Sequence, residues 1–257
     1  MDETYQNYVN RVASLTLPGT YQNQLKNIQK SPKFQQKQPV SFPGYTVLTP
    51  PYQDDPTNES FYHQLTLVQQ QLMEKIEPNL LIPLPPESFH LTLADLIWED
   101  NYHKAIEEDQ DFDNKLKKAI HDSFNTYQKL NLEESKSQWQ ILGLLVFPRA
   151  LVVGLVPCNE LSYDKVFQLR RTIYQNQELI SLGIEQQYYL TAHITLGYFD
   201  EITDSLDKSS LESVILSFND QWIEKEPQIL TVEQGELRKF ENMMQFISDE
   251  SNPKLMI

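Results

Sequence analysis

The chain has 257 residues, 40% of them hydrophobic and 11% aromatic, a composition that excludes a disordered polypeptide and suffices for a sizeable core. A formal net charge of -15 excludes holding long nucleic acid by general charge neutralisation, while a small anion or an oligonucleotide end remains open if a pocket supplies positive charge. One cysteine, Cys158, rules out an internal disulfide and a Cys-based zinc cluster, and it reads as structural.

No apolar run is long enough to span a membrane. The acidic start Met1-Asp2-Glu3-Thr4 has no apolar segment behind it, so no signal peptide is expected and the cytoplasm is the expected address. Nothing in the sequence asks for more than a monomer, and no membrane partner is expected.

Residues 1–43 are rich in Gln, Asn, Lys and Pro, which predicts a short helix near Tyr5–Leu15 followed by an extended arm. Phe42-Pro43-Gly44 marks a turn, and Tyr45–Thr49 reads as the first core strand. A helix over Ser60–Ile76 carries Leu65, Val68, Leu72, Met73 and Ile76 at helical spacing, capped from Asn58-Glu59-Ser60. A proline-broken link over Leu80–Pro86 leads into a strand at Phe89–Leu96. Residues 99–112 read as a loop or a poorly packed helix, and Asp113–Leu130 as a helix.

Gln140–Phe147 and Ala150–Val156, joined by Pro148-Arg149, read as a hairpin. The helix Leu161–Asn176, the strand Tyr188–Phe199 and the helix Leu206–Phe218 follow. Gln228–Glu233 and Glu236–Ile247 read as a closing hairpin around Gln234-Gly235, with a loose tail from Ser248. The expected organisation is an arm over 1–43, one bilobal domain over 44–247, and a tail over 248–257.

Two short stretches organise this plan. Ser88-Phe89-His90-Leu91-Thr92-Leu93 and Thr191-Ala192-His193-Ile194-Thr195-Leu196 share the frame His-apolar-Thr-Leu, and two of the five histidines in the chain fall inside it. Alternate residues of a strand share a face, so His and Thr project together while Leu91/Leu93 and Ile194/Leu196 turn to the core. A lone His-x-Thr arises easily by chance. Two copies at matching places of a repeated strand–helix–strand plan predict symmetry partners facing one cleft.

Imidazole titrates near about pH 6.5, so one histidine can act as a base while its partner acts as an acid. Opening a 2′,3′-cyclic phosphodiester by water needs both roles. Thr92 and Thr195 hydroxyls can donate hydrogen bonds to the phosphoryl oxygens as charge builds on them. Two histidines with threonine partners make a poor metal site.

The two motifs are similar to the paired signature of the 2H phosphoesterase superfamily, the LigT-like and cyclic-phosphodiesterase-like proteins. The resemblance covers roughly residues 44–247. It implies an α+β, bilobal LigT-like fold: two antiparallel sheets related by a pseudo-two-fold axis, helices outside, both motifs lining a central cleft. It also implies hydrolysis or ligation at 2′,3′-cyclic or 2′,5′-linked ribose phosphates, in a nucleotide or an RNA end, without metal or cofactor. Lys33-Phe34 followed by Phe42-Pro43-Gly44-Tyr45-Thr46-Val47 resembles the opening of a poorly characterised subfamily of unknown substrate.

Many relatives carry an Arg or an aromatic residue two places after the motif leucine, where this chain has Asp95 and Tyr198. Asp95 in a cleft would repel phosphate unless it orients a histidine or faces away. Arg238 is a candidate source of phosphate charge, against a surface role. Tyr198 and Phe240 are candidates for stacking on a base or ribose, against a place in the core, and Tyr52 for the cleft rim. Arg149 reads as surface, as do His63, His103 and His121. Asp109, Asp111 and Asp113 have the spacing of a calcium loop, but its glycine and terminal glutamate are missing.

The leading expectation is a metal-independent phosphoesterase with His90 and His193 as the acid–base pair and Thr92 and Thr195 on the phosphoryl oxygens. The alternatives are a non-catalytic module holding a nucleotide or small phosphate ester in the same cleft, and an interaction protein whose two histidines lie far apart.

Overall fold

The computed structural model describes residues 3–224 and 226–257. Its helices are α1 (Tyr5–Ala13), α2 (Pro18–Lys26), α3 (Glu59–Lys75), α4 (Glu99–Glu108), α5 (Phe112–Gln128), α6 (Glu160–Tyr174), α7 (Gln177–Ser181) and α8 (Lys208–Ile223). The strands are β1 (Phe34–Gln35), β2 (Gln38–Pro39), β3 (Gly44–Leu48), β4 (Leu81–Pro83), β5 (Thr92–Trp98), β6 (Ser137–Phe147), β7 (Ala150–Pro157), β8 (His193–Phe199), β9 (Ile229–Val232), β10 (Gln234–Asn242), β11 (Gln245–Ile247) and β12 (Lys254–Met256). No helix among the described residues is long and apolar enough to cross a membrane.

Two five-stranded antiparallel sheets carry the chain, making an α+β fold. One has the order β11-β10-β3-β5, with β12 also paired to β10, and the other has the order β4-β8-β7-β6-β9. In the first, β3 and β5 pair directly and enclose α3 in sequence; in the second, β7 and β8 pair directly and enclose α6 and α7. Each sheet therefore contains one strand–helix–strand unit that ends on a His motif, as the repeated plan requires. The sheets exchange strands: β4, from the first half, pairs with β8, while β10, β11 and β12 return from the end of the chain to the first sheet.

Local chemistry accounts for several element boundaries. Thr4 caps α1 by accepting from the Asn7 amide, and Asn159 and Asp207 do the same at the starts of α6 and α8. Pro18 opens α2, where a missing N–H costs nothing. Gly197 is required by close packing: a Cβ there would meet the Ile82 carbonyl oxygen at 2.7 Å, so only glycine lets β4 lie against β8.

Three expectations are corrected. The arm after Leu15 is not extended, because Tyr21 and Leu25 turn α2 into a buried, core-facing helix. β9 and β10 form no hairpin; β9 pairs with β6 and β10 with β3, and the hairpin lies one strand later, between β10 and β11. The tail is not loose, since β12 pairs with β10 and buries Leu255. Cys158, read as structural, sits exposed just after β7. The hairpin of β6 and β7 around Pro148-Arg149 and the helices α3, α5, α6 and α8 lie where they were expected.

Candidate active site

Both histidines stand at the beginning of their strands rather than within them. His90 precedes β5, and His193 is the first residue of β8. The first motif is fixed by Thr49, whose amide donates to the Leu91 carbonyl (2.9 Å) and whose hydroxyl accepts from the Leu91 amide (3.0 Å). The second is fixed by the N-terminal helix: Tyr8 hydroxyl accepts from the Ala192 amide (3.2 Å), and Arg11 donates to the Thr191 hydroxyl (3.0 Å).

The two imidazoles are held alike. Nδ1 of His90 lies 2.7 Å from the Ser88 carbonyl oxygen, and Nδ1 of His193 lies 2.6 Å from the Thr191 carbonyl oxygen. A carbonyl only accepts, so each Nδ1 carries the proton and each Nε2 is left for chemistry. An aromatic ring packs at right angles or nearly so against each: Phe246 at 4.3 Å from His90 and Phe147 at 4.9 Å from His193.

Burial lowers the pKa of both, pushing His90 down to about 4, and a charge on His193 is felt at His90. Arg238 adds to the depression at His90, while Asp95 opposes it at both rings.

The strands after the motifs share a second feature. In β5 the register runs Leu48↔Thr92 and Val47↔Ala94, and in β8 it runs Val152↔Thr195 and Leu151↔Gly197. Leu93 and Leu196, the motif leucines, are each the unpaired residue of a β-bulge. A bulge inverts the facing of everything beyond it. Thr92 and Asp95 are therefore both half-buried with Leu93 and Ala94 buried between them, and Thr195 and Tyr198 repeat the pattern around Leu196 and Gly197. Asp95 thus rejoins the face of Thr92 and does not turn away. Its carboxylate accepts from the Tyr188 hydroxyl, and its backbone carbonyl accepts from the Tyr174 hydroxyl (2.8 Å).

The remaining sequence candidates separate. Tyr198 lies on the cleft face, half-buried, its ring 5.5 Å from Phe34. Tyr52 is half-buried, stacks on Tyr62 at 5.2 Å and donates its amide to the Phe89 carbonyl (2.8 Å), beside the first motif. Phe240 is 5% exposed and packs on Phe42 and Phe246, which assigns it to the core rather than to stacking on a ligand.

Arg238 is neither at the surface nor free. It is 2% exposed; its guanidinium is neutralised by Glu236 and Asp54 (2.7 Å) and donates to the Phe246 carbonyl (3.1 Å). Arg149, His63, His103 and His121 are exposed, as expected. Among the described residues, no three side chains from His, Cys, Asp and Glu gather as a metal-ligand set.

Sequence reasoning missed Lys33 as a site residue. Its ammonium lies 4.7 Å from the Phe42 ring and 5.0 Å from the Tyr198 ring, and its charge is felt at His193. In the sequence the Lys33-Phe34 pair stands out only as an opening motif; tertiary packing brings it to β8.

Residues 33–138 match a family model labelled 2H-phosphodiest, described as a domain of unknown function (DUF1868). Over that stretch, which is under half of its length, the chain is similar to 2H phosphodiesterases. Among solved structures it is similar to ATU0111, a conserved protein of unknown function from Agrobacterium tumefaciens str. C58, at 14% identity and a TM-score of 0.58, covering 85% of this chain and 90% of that one. It also matches TT0787 of Thermus thermophilus at 14% identity and TM-score 0.45, covering 83% and 94%. A third match is E. coli LigT complexed with 3′-AMP, at 12% identity and TM-score 0.40, covering 83% and 94%. No curated protein matches the chain. The matched family stretch contains the first His motif but ends before the second, so the pairing of the two motifs rests on the geometry of this chain.

Proposed function

We propose that this chain is a 2H-type phosphoesterase that hydrolyses a 2′,3′-cyclic or 2′,5′-linked ribose phosphate, in a nucleotide or at an RNA end, by acid–base catalysis between His90 and His193. The observation that carries this reading is the matched pair of imidazoles, each with Nδ1 on a carbonyl two residues upstream and Nε2 free. A module that only binds has no need of two titratable rings held in the same tautomer.

In the proposed step, Nε2 of His90 takes a proton from a water as its oxygen bonds to phosphorus. The bond from phosphorus to the leaving ribose oxygen breaks, and that oxygen takes the proton from Nε2 of protonated His193. Burial lowers both rings and Asp95 favours the proton on both; His90, pushed down to about 4, is the ring assigned to stay neutral as the base, and the bound phosphate charge favours the proton on His193. Thr92 and Thr195 hydroxyls donate to the phosphoryl oxygens. Asp95 thereby acts on the imidazoles instead of repelling the substrate.

The test is a panel of the four nucleoside 2′,3′-cyclic phosphates and a 2′,5′-linked dinucleotide, assayed with and without EDTA. Turnover that survives EDTA is expected with at least one of them. Tight binding with no product from any would favour the binding-module alternative.

A further inference from the structure

We propose that Lys33, brought to the cleft by the segment preceding β1, is the anion-holding residue of this site, binding a non-bridging phosphoryl oxygen on the His193 side. This deepens the phosphoester reading above and rests on it for the identity of the ligand.

The segment is fixed before the side chain is considered. Gln29 donates its amide to the Pro148 carbonyl (2.6 Å), Ser31 to the Phe199 carbonyl (2.8 Å), and Lys33 accepts from the Val40 amide (3.0 Å). The backbone of Lys33 is thereby tied to the β6–β7 turn and the end of β8.

The ammonium then reaches Met243 Sδ at 3.2 Å and the Tyr198 hydroxyl at 3.5 Å, between the Phe42 and Tyr198 rings. Among the described residues it has no carboxylate at ion-pair distance, although Asp95 and Glu99 lie near enough to act on it. Sulfur and a phenol oxygen are weak acceptors for a group with three N–H donors.

Other buried or half-buried cations have a carboxylate or at least a backbone carbonyl as acceptor, as Lys165 has in Ser135. Arg238 is spent on Glu236 and Asp54, Arg11 on Glu3, and Arg170 on the Leu93 carbonyl. Holding an ammonium out of water without an anion is costly. Its burial lowers Lys33 to about 8, with the exposed Arg149 adding to the depression and Asp95 and Glu99 opposing it. A bound phosphoryl oxygen supplies what the site lacks, in a chain whose net charge of -15 would otherwise turn such a ligand away.

The competing explanation is a purely structural ammonium–π contact with the Phe42 and Tyr198 rings. Methionine fills the same space without charge, so Lys33→Met separates the two. The probe is inorganic phosphate, titrated by calorimetry into wild type, Lys33→Met and Lys33→Arg. Wild type binds; Lys33→Met binds at least about tenfold more weakly, as expected for losing a hydrogen bond to a charged group; Lys33→Arg stays within a few-fold. If Lys33→Met binds like wild type, or wild type binds no phosphate, the assignment is overturned.

Should Lys33→Met fail to fold, wild type alone decides. Acetic anhydride labelling read by mass spectrometry must show Lys33 protected by phosphate and Lys104 not; unprotected Lys33 overturns the assignment. Phosphate binding through Lys33 with no cyclic-phosphate turnover by wild type would sink the catalytic reading alone. Normal turnover and phosphate binding by Lys33→Met would sink this one alone.

Discussion

Gln69 and Arg170 perform the same task on opposite lobes. Gln69, on α3, donates from Nε2 to the carbonyl of Leu196 at 2.7 Å; Arg170, on α6, donates from Nη1 to the carbonyl of Leu93 at 2.7 Å. Those carbonyls belong to the two bulged motif leucines. α3 comes from the unit that ends on His90 and α6 from the unit that ends on His193, so each unit's helix holds the other unit's bulge. Both side chains are nearly fully buried.

Replacing Arg170 takes the donor from the Leu93 carbonyl, and replacing Gln69 takes the donor from the Leu84 carbonyl (2.8 Å) and one of two from the Leu196 carbonyl, which keeps the Leu84 amide (2.9 Å). Gln69→Leu and Arg170→Met are each expected to lose about 1–3 kcal/mol of stability. Because the bulges aim Asp95 and Tyr198, both variants should also lose kcat, while the exposed control His63→Ala loses neither. Urea denaturation and steady-state kinetics on the same preparations check this.

Arg238 is expected to matter for folding before it matters for substrate. Glu236 is 2% exposed, and removing the guanidinium leaves that buried carboxylate only the longer ion pair to the half-exposed Lys254 (3.8 Å). Arg238→Met should cost about 3–5 kcal/mol. Arg238→Met with Glu236→Leu should recover part of that loss. A double variant no more stable than the single one would show that the pair is not the source of the cost.

Acid should destabilise the protein in a window set by the histidines. His90 has a folded pKa of about 4 against about 6.5 unfolded, so the unfolded chain takes up the proton first as pH falls. The stability is fully present above about pH 6.5, declines towards pH 4, and changes no further from this group below that. The loss from His90 is at most about 3 kcal/mol, and His193 adds in the same direction. His90→Gln should flatten the stability profile between those limits, measured by denaturant midpoints at stepped pH.

The assignment of base and acid has its own check. A p-nitrophenolate leaving group departs without a proton, so a diester bearing it bypasses the general acid. With bis(p-nitrophenyl) phosphate, His193→Ala should recover towards wild-type turnover relative to its defect on a cyclic phosphate, and His90→Ala should not. The opposite ranking reverses the two roles.

Much of this site was legible as sequence. The His-apolar-Thr-Leu repeat marked both strands, and alternation placed His and Thr opposite the buried Leu91 and Ile194. What alternation could not show was the bulge: a strict period of two puts Asp95 on the core face, and the unpaired Leu93 returns it to the face of Thr92. Arg238 looked like a lone cation although Glu236, two residues back on the same strand, shares its face; only Asp54 is delivered by tertiary folding. Lys33 was invisible for the same reason; a polar arm gives no sign of which side chain it delivers to a distant strand. The false hairpin at Gln234-Gly235 arose because two β-rich runs separated by a glycine look alike whether the chain reverses or crosses between sheets.

The central claim is that His90 and His193 work as one catalytic pair. The most direct measurement is single-turnover hydrolysis of a nucleoside 2′,3′-cyclic phosphate that wild type accepts, in EDTA, by wild type, His90→Ala, His193→Ala and the double variant. Each single variant is expected to lose about 10²–10⁴-fold in rate while still binding phosphate, with the double variant little worse than either single one. Single variants that retain the wild-type rate would contradict the account.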